Sequence, residues 1–370
     1  MPLSSRPDGD PAFPESVSEA APAGVPLPSC PYPVDDPVFI RGQRLMIGFD
    51  GTALTPFLDT MIRRWLIGGV ILFQRNIETP RQVGRLIADM QAAAEDAGLP
   101  PLFIAVDQEG GTAARLRPPE FTSYGRCPGG QPAITTDGEA ADFAHATARE
   151  LRSLGFNMNM APVLDVVPTD MPGIMASRAF PGGAADVARL GVRMIRAFQD
   201  SGILAVAKHF PGIGRTTLDS HIDLPVMPAD RESIRSRDLP PFAAAVDAGV
   251  AGIMLSHISY PEIDPDFPAS RSPIIAQTWL RRDLGFSGLS LTDDLDMGAV
   301  RRHGEFRAVI RHTAAAGLDQ ILICHQSPDM EIALAELKRY WTGHPEQRPQ
   351  FQASLSRILH AKKKLEGWQE

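Results

Sequence analysis

Within the stretch KHFPGIGRTTLDSHIDLP, residues 208–225, Asp219 and His221 stand two residues apart. That spacing lets a carboxylate hold an imidazole in one tautomer and favour its protonated form, which is half of an acid/base catalyst. The stretch follows an apolar, strand-like run from Ile203 to Ala207, then turns abruptly to Lys, His, Pro and Gly, the composition of a working loop. An isolated Asp-x-His is by default a loop tied by local hydrogen bonds, so the meaning of the pair depends on its surroundings. Metal ligation by His209, Asp219 and His221 is disfavoured, because Lys208 would set a positive charge beside the ion. No metal and no cofactor is expected. Gly110-Gly111 is not followed by Gly-Lys-Ser/Thr, so it reads as a tight turn rather than a phosphate loop.

Positioning such a loop requires a scaffold, and the apolar runs can be counted. Candidate strands are Arg44–Phe49, Gly69–Phe73, Leu102–Val106, Asn157–Val166, Leu204–Lys208, Gly252–Ser256, Leu289–Asp293 and Gln320–Cys324. Amphipathic stretches with helix punctuation lie between them: Thr79–Ala97 opens with Thr-Pro, Gly138–Leu154 ends at Gly155, and Ala185–Asp200 ends near Gly202. Eight β/α alternations with no internal linker predict an α/β fold, a single (β/α)8 TIM-type barrel over residues 37–370. Residues 1–36 are rich in Pro, Ser, Ala and Gly without periodicity and are expected to form a disordered or loosely packed arm.

Composition narrows the function classes. The chain has 370 residues, 44% hydrophobic and 22% charged, enough for one large barrel. A formal net charge of -8 with no long basic run argues against nucleic acid or an anionic membrane as partner. No apolar stretch reaches the length of a membrane span, and MPLSSRPDGDPAFPES lacks the features of a signal peptide, so a soluble cytoplasmic protein is expected. Cys30, Cys127 and Cys324 are too far apart to suggest a disulfide framework or a zinc knuckle. The sequence does not set the oligomeric state; a monomer is the working expectation.

Nearly every candidate strand ends in residues an apolar core would not select: Asp50, Arg75-Asn76, Asp107-Gln108-Glu109, Asp165, Lys208-His209, His257, Asp293-Asp294 and His325. In a (β/α)8 barrel the C-terminal strand ends converge on one face, which carries the active site. One such residue alone would be unremarkable solvent chemistry. Their coincidence predicts an enzyme cleft. Alternation along a strand sends Asp293 and Asp294 to opposite sides, but alternation alone does not say which of them faces the cleft.

The segments GVILFQRNIETPRQV (69–83), IAVDQEGGTAARL (104–116), NMNMAPVLDV (157–166), KHFPGIGRTTLDSHIDLP (208–225) and LTDDLDMGA (291–299) together resemble the β-N-acetylhexosaminidases of glycoside hydrolase family 3, of the cytoplasmic NagZ type. The resemblance runs from about Arg41 to the C-terminus. It implies a retaining hydrolase that removes N-acetylglucosamine from the non-reducing end of peptidoglycan fragments, in cell-wall recycling, with a small-molecule glycoside as partner. By the same resemblance Asp293 is the nucleophile, His221 the acid/base and Asp219 its orienting partner, while Asp107, Arg115, Arg178, Lys208 and His209 grip the sugar. Such roles fit general chemistry: retention needs an attacking carboxylate and a proton donor in one cleft. An imidazolium can protonate the leaving oxygen and its neutral form can then deprotonate water.

Departures from the family pattern are Ile213 and Arg215, where His and Asp are usual, and Thr112, where Arg is usual. Residues 120–133 also differ from the usual connection. These bear on the loop, in which Gly212 and Gly214 are expected to permit a swing that carries His221 to the sugar. Two other readings follow. One is a family 3 β-glucosidase or glycoside phosphorylase, since a neutral base repels phosphate less than a carboxylate does. The other is a catalytically weakened sugar-binding relative.

Overall fold

The computed structural model describes residues 31–122, 127–169, 173–216, 218, 223–227 and 229–366. Eight parallel strands close into a barrel in sequence order: β1 (Leu45–Ile47), β2 (Gly69–Leu72), β3 (Phe103–Val106), β4 (Met158–Asn159), β5 (Leu204–Phe210), β6 (Gly252–Leu255), β7 (Leu289–Asp294) and β8 (Gln320–Ile323). Closure is direct, with Met46 opposite Gly69 on one side and Leu322 on the other. The principal helices are α1 (Pro37–Gln43), α2 (Pro56–Arg63), α3 (Pro80–Asp96), α4 (Asp137–Ser153), α5 (Ala184–Asp200), α6 (Arg231–Arg237), α7 (Pro240–Asp247), α8 (Gly298–Arg301), α9 (Phe306–Ala315), α10 (Asp329–Gly343) and α11 (Arg348–Glu366). A π-helical segment, Ile274–Asp283, stands between β6 and β7. None of these helices is long and apolar enough to cross a membrane.

Local chemistry sets the helix starts as the sequence predicts. Thr79 caps α3 by accepting from the Gln82 N–H, and Pro80 occupies the first turn, where a missing N–H costs nothing. Thr136 and Glu139 form a reciprocal capping box at the start of α4. Apolar side chains then fill two layers. Met46, Ile71, Phe103, Met158, Leu204, Val206, Leu289, Leu291 and Leu322 occupy the barrel interior, joined by Ile358, Ala361 and Leu365 of α11. Packing α11 against that interior closes the floor of the barrel, because Arg357 of the same helix bonds Asp319 just before β8. The opposite end, where the strands finish, remains for the site.

One strand is shorter than expected. Of Asn157–Val166, only Met158–Asn159 pairs regularly. Pro162 has no N–H to give, and the Gln131 side chain takes both the N–H and the carbonyl of Val163, each at 2.9 Å. The chain nevertheless stays beside β5: Val163 bridges to Lys208 and the Leu164 N–H donates to the Lys208 carbonyl at 2.7 Å. At the N-terminal side, the described end of the expected arm is attached to the barrel. Tyr32 stacks on Phe39, and Asp36 caps α1 through the Val38 N–H.

Candidate active site

Asp107, Gln108 and Glu109 follow β3, and Gln108 folds the chain back on itself. Its side chain accepts from the Arg115 and Leu116 N–H groups at 2.8 and 2.9 Å and donates to the Leu116 carbonyl at 3.0 Å. The tight turn this needs falls on Gly110 and Gly111, with φ of 85° and 57°; a Cβ on Gly110 would lie 2.9 Å from the Gly130 Cα. Arg115 is thereby returned to Asp107, at 3.3 Å.

The end of β5 faces this turn. Lys208, only 2% exposed, places Nζ 2.8 Å from Asp107 and 2.6 Å from Glu109. Arg178, from the β4–α5 connection, clasps Glu109 with two bonds of 2.9 and 2.7 Å. Burial by itself would raise both carboxyls. Lys208 and Arg115 more than reverse this for Asp107, holding it well below the usual range, and Lys208 and Arg178 bring Glu109 down to about 2. Burial likewise opposes the charges on Lys208 and Arg178, yet both are raised by the carboxylates they face. The result is a largely buried cluster of mutually paired charges at the ends of β3 and β5, of a kind suited to hydroxyl recognition.

A stability prediction follows from Glu109. Its folded pKa of about 2 lies below the ordinary 4.5. Its contribution, on the order of 3 kcal/mol, is therefore present above pH 4.5 and lost as pH falls toward 2. Urea unfolding of Glu109→Gln should show a deficit of that order at neutral pH that shrinks across this window; a pH-independent deficit contradicts the assignment.

Strand alternation would send only one of Lys208 and His209 to the cleft. The register of β5 on β6 shifts between Lys208 and Phe210, a bulge that buries both side chains at the strand end. The His209 Nδ1 lies 2.8 Å from Asp165, a wholly buried carboxylate after β4, whose other oxygen accepts the Ile213 N–H at 2.8 Å.

At β7 a second irregularity, between Leu291 and Asp294, separates the two neighbouring carboxylates. Asp294 turns back to accept from the Asp296 and Cys324 N–H groups, each at 3.0 Å. Burial and Asp296 push its carboxyl up to about 6. Asp293 is held below its ordinary value: burial raises it, but the His209 and His257 rings, the Asp294 N–H and Lys208 outweigh that. His257 itself is pushed down to about 4 by burial, so its pull on Asp293 applies only in acid and at neutral pH the other groups act without it. Its Nε2 lies 3.0 Å from the Asp294 carbonyl, which can only accept, so the proton sits there and Nδ1 accepts from the Ser270 hydroxyl at 2.7 Å. The two half-buried carboxylates thus differ in their bonds: Asp293 accepts from the Asp294 N–H, whereas Asp294 accepts from the Asp296 and Cys324 N–H groups.

Asp107, Arg115, Arg178, Lys208, His209 and Asp293 are gathered at one end of the barrel. Asp219 and His221 lie outside the described residues. Other strand-end residues are architectural: Arg75 bonds the Phe49 carbonyl at 2.9 Å and the Cys324 carbonyl, and Asn76 bonds the carbonyls of Phe49 and Gly51. Among the described residues, Asp294, Asp296 and His325 are close enough to share a cation. Their carboxylates are already taken up by backbone N–H groups and by Arg301.

The loop departures are built into the packing. Ile213 is buried in the main core, and Arg215 pairs with buried Asp238 and donates to Ser233 at 3.0 Å. Gly212 and Gly214 sit against close neighbours in this arrangement. A Cβ on Gly212 would lie 2.7 Å from that of Asp238, and one on Gly214 only 2.1 Å from the Val166 carbonyl; both glycines permit close packing. The Tyr260 hydroxyl further pins Gly212 by donating to its carbonyl at 2.9 Å.

Glu109, Asp165 and His257 carry much of this geometry, yet sequence reasoning marked them only as polar strand ends. Their partners come from other strands and connections, which spacing cannot reveal.

Residues 46–361 match the family model described as the glycosyl hydrolase family 3 N terminal domain. A β-hexosaminidase of Nitrosomonas eutropha is 35% identical over 299 residues, covering 80% of this chain and 84% of that one. One from Pseudomonas aeruginosa is 36% identical, covering 80% and 86%. Among solved structures, a family 3 β-N-acetylglucosaminidase from Paenibacillus superposes with a TM-score of 0.82 at 34% identity, over 88% of this chain and 62% of its own. NagZ from Neisseria gonorrhoeae, in complex with N-trifluoroacetyl-D-glucosamine, gives 0.66 at 27% identity, over 87% and 98%. With the barrel and its charged cleft in place, these matches make the chain a member of glycosyl hydrolase family 3, a glycoside hydrolase of the β-hexosaminidase kind.

Proposed function

We propose that this enzyme is a retaining exo-β-N-acetylglucosaminidase that removes terminal N-acetylglucosamine from muropeptides through a covalent glycosyl intermediate on Asp293. The observation that carries the reading is the environment of Asp293: a half-buried carboxylate at the end of β7, kept ionised by His209, the Asp294 N–H and Lys208. A nucleophile must be unprotonated and within reach of the cleft, and the carboxylate of its neighbour Asp294 is already engaged by the Asp296 and Cys324 N–H groups. Asp107, Arg115, Arg178, Lys208 and His209 bind the sugar in this account. His221, oriented by Asp219, donates a proton to the leaving oxygen and then accepts one from water. Muropeptides as substrates go with a cytoplasmic role in peptidoglycan recycling, acting as a monomer.

The test is hydrolysis of chromogenic β-N-acetylglucosaminide and β-glucoside, each with and without phosphate, followed by a muropeptide. Release of N-acetylglucosamine, indifferent to phosphate, is expected. Preference for the glucoside, phosphate-dependent release of a sugar 1-phosphate, or binding without turnover would each overturn the reading.

A further inference from the structure

A carboxylate removed from water is costly unless it is matched by a charge or by several donors. Asp165 is wholly buried, and among the described residues the ionisable side chain within ion-pair distance is His209. Its remaining bonds come from backbone N–H groups, Ile213 at 2.8 Å and His209 itself at 3.4 Å. Those N–H groups need only an acceptor, which a neutral Asn or Ser could provide. Within bonding distance the negative charge serves the His209 ring, and at longer range it also supports Arg178.

We propose that Asp165 is a positioning residue for the reaction: its carboxylate keeps a proton on the His209 Nδ1 and fixes the ring so that its Nε2 edge is presented to the cleft beside Asp293. The proposal rests on the reading of Asp293 as nucleophile. Nδ1 is committed to Asp165 at 2.8 Å, which leaves Nε2 as the edge available to the site. Next to burial, His209 is the largest influence on Asp293, ahead of His257, the Asp294 N–H and Lys208. Around Asp165 itself, Arg178, Asp238 and Tyr260 also feel its charge. The chain of action runs from β4 through β5 to β7, and a buried group that touches no substrate governs the one that reacts.

Asp165→Asn isolates the charge. The Ile213 N–H claims the amide oxygen, so the amide NH2 faces the His209 Nδ1 and drives the proton off it. Turnover of a chromogenic N-acetylglucosaminide should fall about ten- to a hundredfold in kcat/KM. The acid limb of the kcat/KM profile should move to higher pH, because the His209 ring, which favours the ionised form of Asp293, is no longer held in place beside it. In a His209→Gln background, adding Asp165→Asn should cost less than about threefold, since the partner is already gone. Nitrogen NMR of the wild-type imidazole should place the His209 proton on Nδ1, a readout independent of whether the variant folds. An unshifted acid limb, multiplicative losses in the double variant, or a His209 protonated only on Nε2 would overturn the proposal. Should Asp293→Ala instead keep normal turnover, it is the nucleophile reading that fails, while the NMR result still judges Asp165 on its own.

Discussion

Asp293→Ala should abolish useful turnover of every substrate, by roughly 10⁴-fold or more, irrespective of the leaving group. Removing the carboxylate removes the bond that a retaining mechanism must form in its first step, and nothing downstream can substitute for it. The neighbouring carboxylate cannot take over. Asp294 is committed to the N–H groups of Asp296 and Cys324, and burial with Asp296 raises it to about 6. Asp294→Asn, which retains one acceptor for those N–H groups, should therefore lose far less activity than Asp293→Ala. Comparable collapse of the two variants in well-folded protein would mean that the carboxylates have been assigned the wrong way round.

The second large effect should depend on the substrate. His221→Ala is expected to slow an unactivated disaccharide by about a hundred- to ten-thousand-fold while a nitrophenyl glycoside is affected much less in the glycosylation step. A nitrophenolate departs without a proton, whereas a sugar alkoxide does not. Asp219→Ala should follow the same pattern more mildly, because an imidazole without its carboxylate loses orientation and basicity together. Steady-state kcat/KM on both substrate classes is the measurement. Equal slowing of aryl and sugar leaving groups would remove His221 from the role of acid.

How much of this was legible in the sequence varied with the kind of signal. All eight strands appear where short apolar runs end in polar residues, because parallel barrel strands are buried on both sides and exposed only at their tips. The length of β4 was not legible: Pro162 and the claim of the Gln131 side chain on Val163 interrupt a run that composition alone reads as continuous. Within the site, resemblance pointed to Asp107, Lys208 and Arg178, but the reason they cohere is Glu109, which bonds both cations and was read only as part of an acidic strand end. Alternation could not rank Asp293 against Asp294; the irregular register of β7 against β8 and the bonds that occupy Asp294 support the proposal for Asp293. Gly212 and Gly214 illustrate the opposite limit. Glycine suits both a hinge and a tight contact, and the tight contacts, with Asp238 and the Val166 carbonyl, come from distant parts of the chain that spacing does not reveal.

The central claim, a covalent intermediate on Asp293, is most directly tested by trapping it. The enzyme would be incubated with a fluorinated N-acetylglucosaminyl donor that reacts readily and hydrolyses slowly, then digested and mapped by tandem mass spectrometry. The account predicts one sugar per chain, attached to Asp293 in the peptide of β7. A label on Asp294, Asp107 or Glu109 instead, or an inactivated-free enzyme that releases the inverted anomer, would contradict it.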